Sequence, residues 1–86
     1  MEYRHKRIKP KRYYLQGELS ECYLTRRELQ CVQGVLMGHT MASVAIMLGL
    51  SRRTVEFYLK NVKYKLQVHS LAELVRLCRE HLKIAE

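Results

Sequence analysis

The sequence predicts an all-α domain of four helices behind a basic, poorly structured N-terminal arm, and three observations predict it. Serine or threonine capping signals (Thr25, Thr40, Ser51, Ser70) each precede an apolar pattern with helical spacing. Gly38 and Gly49 stand where the first two of those patterns stop. The one segment outside the patterns, around residues 13–23, is too irregular for a helix or a strand, so no strand is expected. Eighty-six residues support one compact domain. The expected division is a basic arm and collar over 1–23 and a folded unit over 24–86.

Taken in order, the first twelve residues hold six Lys or Arg against Glu2 alone, a local charge of +5, together with the only proline, Pro10. Such a run cannot bury itself, and it reads either as a solvated arm or as one that follows phosphates. Tyr13, Tyr14, Leu15, Leu19 and Tyr23 follow and are expected to pack as a collar. Thr25 with Glu28 forms a capping box and Leu24 with Leu29 a hydrophobic staple, which starts the first helix at Arg26. That helix covers about 26–37, buries Leu29, Val32, Val35 and Leu36, and stops at Gly38. Thr40 caps a second helix of about 41–48, with Val44, Ala45 and Leu48 inward and Gly49 as its stop.

Only Gly49 and Leu50 separate that stop from Ser51, the cap of a third helix of about 52–66, with Leu50 and Val55 at the staple positions. Helices joined by so brief a turn cross steeply, which is the helix-turn-helix arrangement. Ser70 with Glu73 reads as another capping box and opens a fourth helix, expected to reach Leu82 or Ile84.

Charge narrows the function. Sixteen Lys and Arg against eight Asp and Glu leave +8, which favours a polyanionic partner, nucleic acid first and anionic lipid second. Neither a spanning apolar stretch nor a signal peptide is visible, so no membrane role is expected and the cytoplasm is the default location. Cys22, Cys31 and Cys78 are odd in number and never spaced as C-x-x-C, which argues for reduced structural thiols. Combining them with His5, His39, His69 or His81 in a metal site has no spacing in its favour, so no metal or cofactor is expected. No paired carboxylates, nucleophile and base, or phosphate-cradling glycine loop suggests an enzyme.

The third helix carries the distinctive chemistry. At about 100° per residue, Val55, Leu59, Val62 and Leu66 make its core stripe. Arg53, Phe57, Lys60 and Tyr64 lie opposite, flanked by Glu56, Lys63 and Asn61, with Arg52 in the first turn. Such a face suits major-groove reading: Lys and Arg donate to guanine, Glu accepts from the cytosine amino group, and apolar atoms meet the thymine methyl. The positive charges at 52, 53, 60 and 63 would neutralise phosphate. A solvated face with Phe57 and Tyr64 buried against the collar is the competing arrangement.

The ordered residues Leu24, Thr25, Arg27 and Glu28, then Gly38, Thr40, Val44, Ala45 and Leu48, then Ser51, Thr54, Val55, Lys65 and Leu66 resemble the LuxR/FixJ/GerE-type DNA-binding domain. The likeness covers about 24–82. It implies a four-helix fold, dimeric binding to promoter DNA, and a third helix in the major groove. It further implies that Glu56, Phe57 and Lys60 approach bases while Arg53, Thr54 and Lys65 lie near the DNA backbone. Arg52, Asn61 and Lys63 join that backbone set from their places on the helix. Three residues depart from the family pattern: Tyr58 where histidine is frequent, Ser43 where an acid is usual, and Arg26 where proline is common. Most family members carry a receiver or small-molecule-binding domain, for which the residues before Leu24 leave no room. A stand-alone effector or an output domain is therefore expected.

The fourth helix gives an expectation about assembly. Leu71, Leu74, Val75, Cys78 and Leu82 share one stripe, whereas Leu77 and Ile84 form a second strip without an obvious partner in the chain. That strip predicts a homodimer interface, unless Leu77 packs under the collar. The competing function is an interaction module that binds another regulator or RNA polymerase with weak DNA contact. A relative of sigma-factor region four is a second rival, which the capping and fourth-helix pattern fits less well.

Overall fold

The computed structural model describes residues 11–82. Four helices follow one another: α1 (Arg26–Leu36), α2 (Met41–Leu48), α3 (Arg52–Leu66) and α4 (Leu71–His81). Ahead of them the collar holds two short antiparallel strands, β1 (Tyr13–Tyr14) and β2 (Tyr23–Leu24), with a single 3-10 turn at Gly17–Leu19 between them. Tyr13 faces Leu24 and Tyr14 faces Tyr23. This ladder corrects the expectation of a strandless collar. Two residues per strand are too few to show an alternating pattern, and the pairing is held from outside the strands. The Leu15 amide donates to the Cys22 carbonyl at 3.0 Å, and the Gln16 amide donates to the His81 carbonyl, at the end of α4, at 2.7 Å.

The helix starts follow from local chemistry. Thr25 Oγ1 accepts from the Glu28 amide at 3.2 Å and Glu28 Oε1 accepts from the Thr25 amide at 3.0 Å, so the capping box is complete. Thr40, Ser51 and Ser70 each accept from the amide three residues on. Glu73, however, does not return to Ser70; its carboxylate accepts from the His69 amide at 3.2 Å, one residue farther back. The expected box at α4 is thus a serine cap with a displaced acid. α2 stops at Gly49, which has φ +69°, while α3 stops at Gln67 with φ +59°, a left-handed position without a glycine.

The core lies where the four helices meet. Val32, Val44, Val55, Val62, Leu74, Cys78 and Leu24 are fully buried, and Leu59 and Leu15 nearly so. α1 and α2 approach closely at Gly34, where an added Cβ would stand 2.7 Å from Val44 Cγ2. Leu77 is half-buried and packed against this core. That corrects the expectation of a strip with no partner in the chain. The collar is tied to the end of α4, and its Leu15 and Leu19 belong to the same apolar cluster. Ile84, the other residue of the expected strip, lies outside the described residues, as do the arm cations before Lys11.

Candidate nucleic-acid interface

α3 is presented by its inner stripe. Val55, Leu59, Val62 and Leu66 are all buried, which leaves the opposite face of a 15-residue helix open to solvent. The turn from α2 is set by left-handed Gly49 and by the Leu50 amide, which donates to the Ala45 carbonyl at 2.9 Å. On the open face Phe57 is 58% exposed and Tyr64 85% exposed, so neither ring packs beneath the collar. Glu56 and Lys60 are exposed beside Phe57, and Arg52 and Arg53 are exposed in the first turn. Arg52 Nε lies 3.2 Å from Glu56 Oε2, one turn along the helix. The Phe57 ring meets Tyr58 edge-on at 5.9 Å.

The flanking residues differ in freedom. Thr54 is half-buried and its hydroxyl shares a 2.9 Å hydrogen bond with Ser51 Oγ inside the α3 cap. Asn61 and Lys63 sit half-buried at the edges of the face. Lys65 stands apart from this set. Its ammonium donates to Glu28 Oε1 at 2.7 Å and to the Tyr23 carbonyl at 3.1 Å, and lies 4.6 Å from the centre of the Tyr23 ring. Glu28 is 4% exposed, so the pair is sheltered on the carboxylate side.

Glu28 therefore has two tasks: it closes the cap of α1 and holds the last turn of α3. A buried carboxylate stripped of its cation is strongly unfavourable, so this contact fixes where the end of α3 lies against α1. The sequence reading identified Glu28 as a capping acid and a family-pattern residue, and the resemblance implied that Lys65 lies near the DNA backbone, with no pairing between the two expected. No spacing rule links two residues 37 apart, so their pairing had no local signal.

Beside that last turn an open groove of about 690 Å³ is lined by Lys60, Lys63, Tyr64 and Lys65 from α3 and by Gln67, Val68 and His69 from the turn into α4. Its walls carry three lysines and no carboxylate; the Lys65 charge is matched by Glu28, so Lys60 and Lys63 carry its attraction for anions. On the collar, the Arg12 guanidinium lies 4.8 Å from the centre of the same Tyr23 ring that Lys65 touches. Cys22, Cys31 and Cys78 are free thiols, and burial pushes the Cys78 thiol up to about 11 and raises Cys31 too. Neither buried thiol is a nucleophile near neutral pH. Among the described residues, no group of three or more His, Cys, Asp or Glu side chains is placed to hold a metal ion.

Comparison with known proteins gives the arrangement its relatives. The family model described as bacterial regulatory proteins, luxR family, matches residues 23–78. The chain is 43% identical over 54 residues to the transcriptional regulatory protein FixJ of Bradyrhizobium diazoefficiens, covering 63% of this chain and 26% of that protein. It is 42% identical over 57 residues to the uncharacterized response regulatory protein YgeK of Escherichia coli, covering 66% of this chain and 39% of that one. A crystal structure of full-length FixJ from B. japonicum superposes with a TM-score of 0.58 at 41% identity, over 65% of this chain and 28% of that one. The chain thus spans well under half the length of these relatives. With the family model matched from the second collar strand to Cys78 in α4, the chain belongs to the LuxR family of bacterial regulatory proteins and carries its non-enzymatic, helix-turn-helix DNA-binding domain.

Proposed function

We propose that this chain is a sequence-specific regulator of transcription that binds double-stranded promoter DNA with α3 in the major groove, two chains to a site. One observation carries the reading. α3 buries an all-aliphatic stripe and turns to solvent a face holding an aromatic ring, a carboxylate and several cations, a mixture that a merely structural helix does not require.

Each residue then has a part. Lys60 donates to a guanine edge, Phe57 lies against a thymine methyl, and Glu56 accepts from a cytosine amino group. Arg52 Nε, 3.2 Å from Glu56 Oε2, steers the carboxylate toward the base. Arg52, Arg53, Asn61 and Lys63 meet phosphates beside the groove, and Thr54 does so at the helix cap. Lys65 supports the end of α3 through Glu28. Dimerisation follows the two-fold symmetry of such sites. α4 contributes the exposed part of Leu77, a small surface, so the dimer forms on DNA and is weak without it.

A protein contact beside DNA is favoured by one feature. α2 has no charged residue, and Ile46 and Met47 on it are 81% and 54% exposed. RNA polymerase or another regulator is the partner that reading names.

Selection of bound duplexes from a random pool, followed by titration of Lys60→Ala over all four bases at each position, tests the DNA reading. The expected result is a defined site and a loss of preference at one position by about 1–3 kcal/mol. A pool that yields no enriched sequence, or a variant with an unchanged preference profile, overturns it.

A further inference from the structure

Resting on that DNA reading, we infer that the turn from α3 into α4 is a further DNA contact, in which Tyr64 and His69 join Lys63 in holding one backbone phosphate at the wall of the major groove. Tyr64 is 85% exposed and follows Phe57 and Lys60, at helical spacing, along the same outward stripe of α3. The rise from Phe57 to Tyr64 is about 10 Å, close to the major groove's width of about 12 Å. With Phe57 against a base, the Tyr64 ring therefore stands where the sugar-phosphate chain runs. Lys60, Lys63, Tyr64 and His69 all line one open groove. A site for a small anion encloses most of its ligand, whereas an open groove lets a polymer enter and leave.

The turn is held before DNA arrives. Gln67 takes the left-handed conformation and its amide donates to the Lys63 and Tyr64 carbonyls, while the Val68 amide donates to the Lys63 carbonyl at 3.0 Å. Two of the carbonyls that end α3 are thereby occupied, which lessens the repulsion an anion meets at the negative end of a helix. The Glu28–Lys65 pair fixes the same last turn against α1 and neutralises the Lys65 charge, so the long-range attraction for a phosphate here comes from Lys63. His69 is exposed, and its amide donates to Glu73 Oε1 at 3.2 Å, which sets the backbone at that position. Glu73 itself does not line the groove. A phenol hydroxyl and an imidazole N–H both donate, and bonds to a phosphate oxygen are charge-assisted. Tyr64 and His69 thus supply the directed bonds that a lysine, acting as a point charge, does not.

The test uses the full chain and the duplex selected from the random pool, remade as a series in which each phosphate in turn is replaced by an uncharged methylphosphonate. Affinities are compared for the native chain, for Lys63→Gln, and for a double variant carrying Tyr64→Phe and His69→Gln. In the native chain one phosphate in each half-site should stand out, its replacement weakening binding about tenfold at low salt. The double variant should bind the unmodified duplex about fivefold more weakly, lose most of the sensitivity at that phosphate, and keep native sensitivity at every other one. Its preference among bases and its melting temperature should match the native values, since both altered side chains are exposed. Lys63→Gln should lose sensitivity at the same phosphate and lower the salt slope by about 0.9 per chain. A double variant as sensitive as the native chain at every phosphate overturns this inference and leaves the DNA reading standing. So does one that loses sensitivity at a phosphate to which Lys63→Gln still responds. A pool with no enriched sequence overturns the DNA reading and this inference with it.

Discussion

Gly34 and Phe57 mark opposite demands on single positions. An alanine at 34 improves helix propensity by about 1 kcal/mol, yet its Cβ would stand 2.7 Å from Val44 and push α2 off α1. Gly34→Ala is therefore expected to destabilise by a net of about 1–3 kcal/mol, read as a lower urea midpoint. A midpoint at or above the native value would mean that α2 relaxes freely. Phe57→Ala, at an exposed position, is expected to change stability by no more than about 0.5 kcal/mol while weakening sites with thymine at the contacted step. Leu59→Ala, two residues on and buried, should lose about 2–5 kcal/mol in the same melting experiment. Cys78 adds a pH dependence. Its thiol holds the proton up to about 11 against an ordinary 9.0, so its contribution is complete below 9.0 and is lost as pH rises toward 11. Denaturation at about pH 7 and about pH 10.5 should show Cys78→Ala lacking a part of the alkaline loss on the order of 2 kcal/mol.

The helices show which structure is local and which is not. Each cap bond joins residues three apart, so Thr25, Thr40, Ser51 and Ser70 announce their helices within a short window, and the starts at Arg26, Met41, Arg52 and Leu71 follow. The outward face of α3 was equally legible, because helical periodicity sorts Leu59 from Phe57 without any knowledge of neighbours. What stayed hidden depends on distant partners: the strand ladder between Tyr14 and Tyr23, the Glu28–Lys65 pair, and the Arg79 guanidinium donating at 3.0 Å to the Leu36 carbonyl at the end of α1. Helix ends also suggest two changes. Gln67 occupies a left-handed position that glycine adopts without strain, so Gln67→Gly should raise stability by about 0.5–1 kcal/mol, a gain of several degrees in the melting temperature. Ser43→Glu should add about 0.5 kcal/mol by returning a carboxylate to the Thr40 amide, a bond that serine does not make in α2. A thermal melt that leaves either variant at or below the native value would contradict its account.

For the molecule as a whole, charge and assembly set the binding behaviour. With a net charge of +8, affinity for DNA should fall with the logarithm of salt, at about 0.9 per phosphate neutralised. Among the described residues of α4, half-buried Leu77 offers little free apolar surface, so a contact through this helix is expected to be weak in solution. Sedimentation is accordingly expected to find single chains when the protein is free and two chains loaded cooperatively on a palindromic duplex. Independent loading of the two half-sites would argue against a contact between chains. Glu28 has a further consequence in the time domain. Because one carboxylate closes the first turn of α1 and grips the last turn of α3, local opening of either end frees the other. The amides of Glu28 and Val68, hydrogen-bonded to Thr25 and Lys63 respectively, should then exchange with deuterium as one unit, and Lys65→Met should split them into two rates.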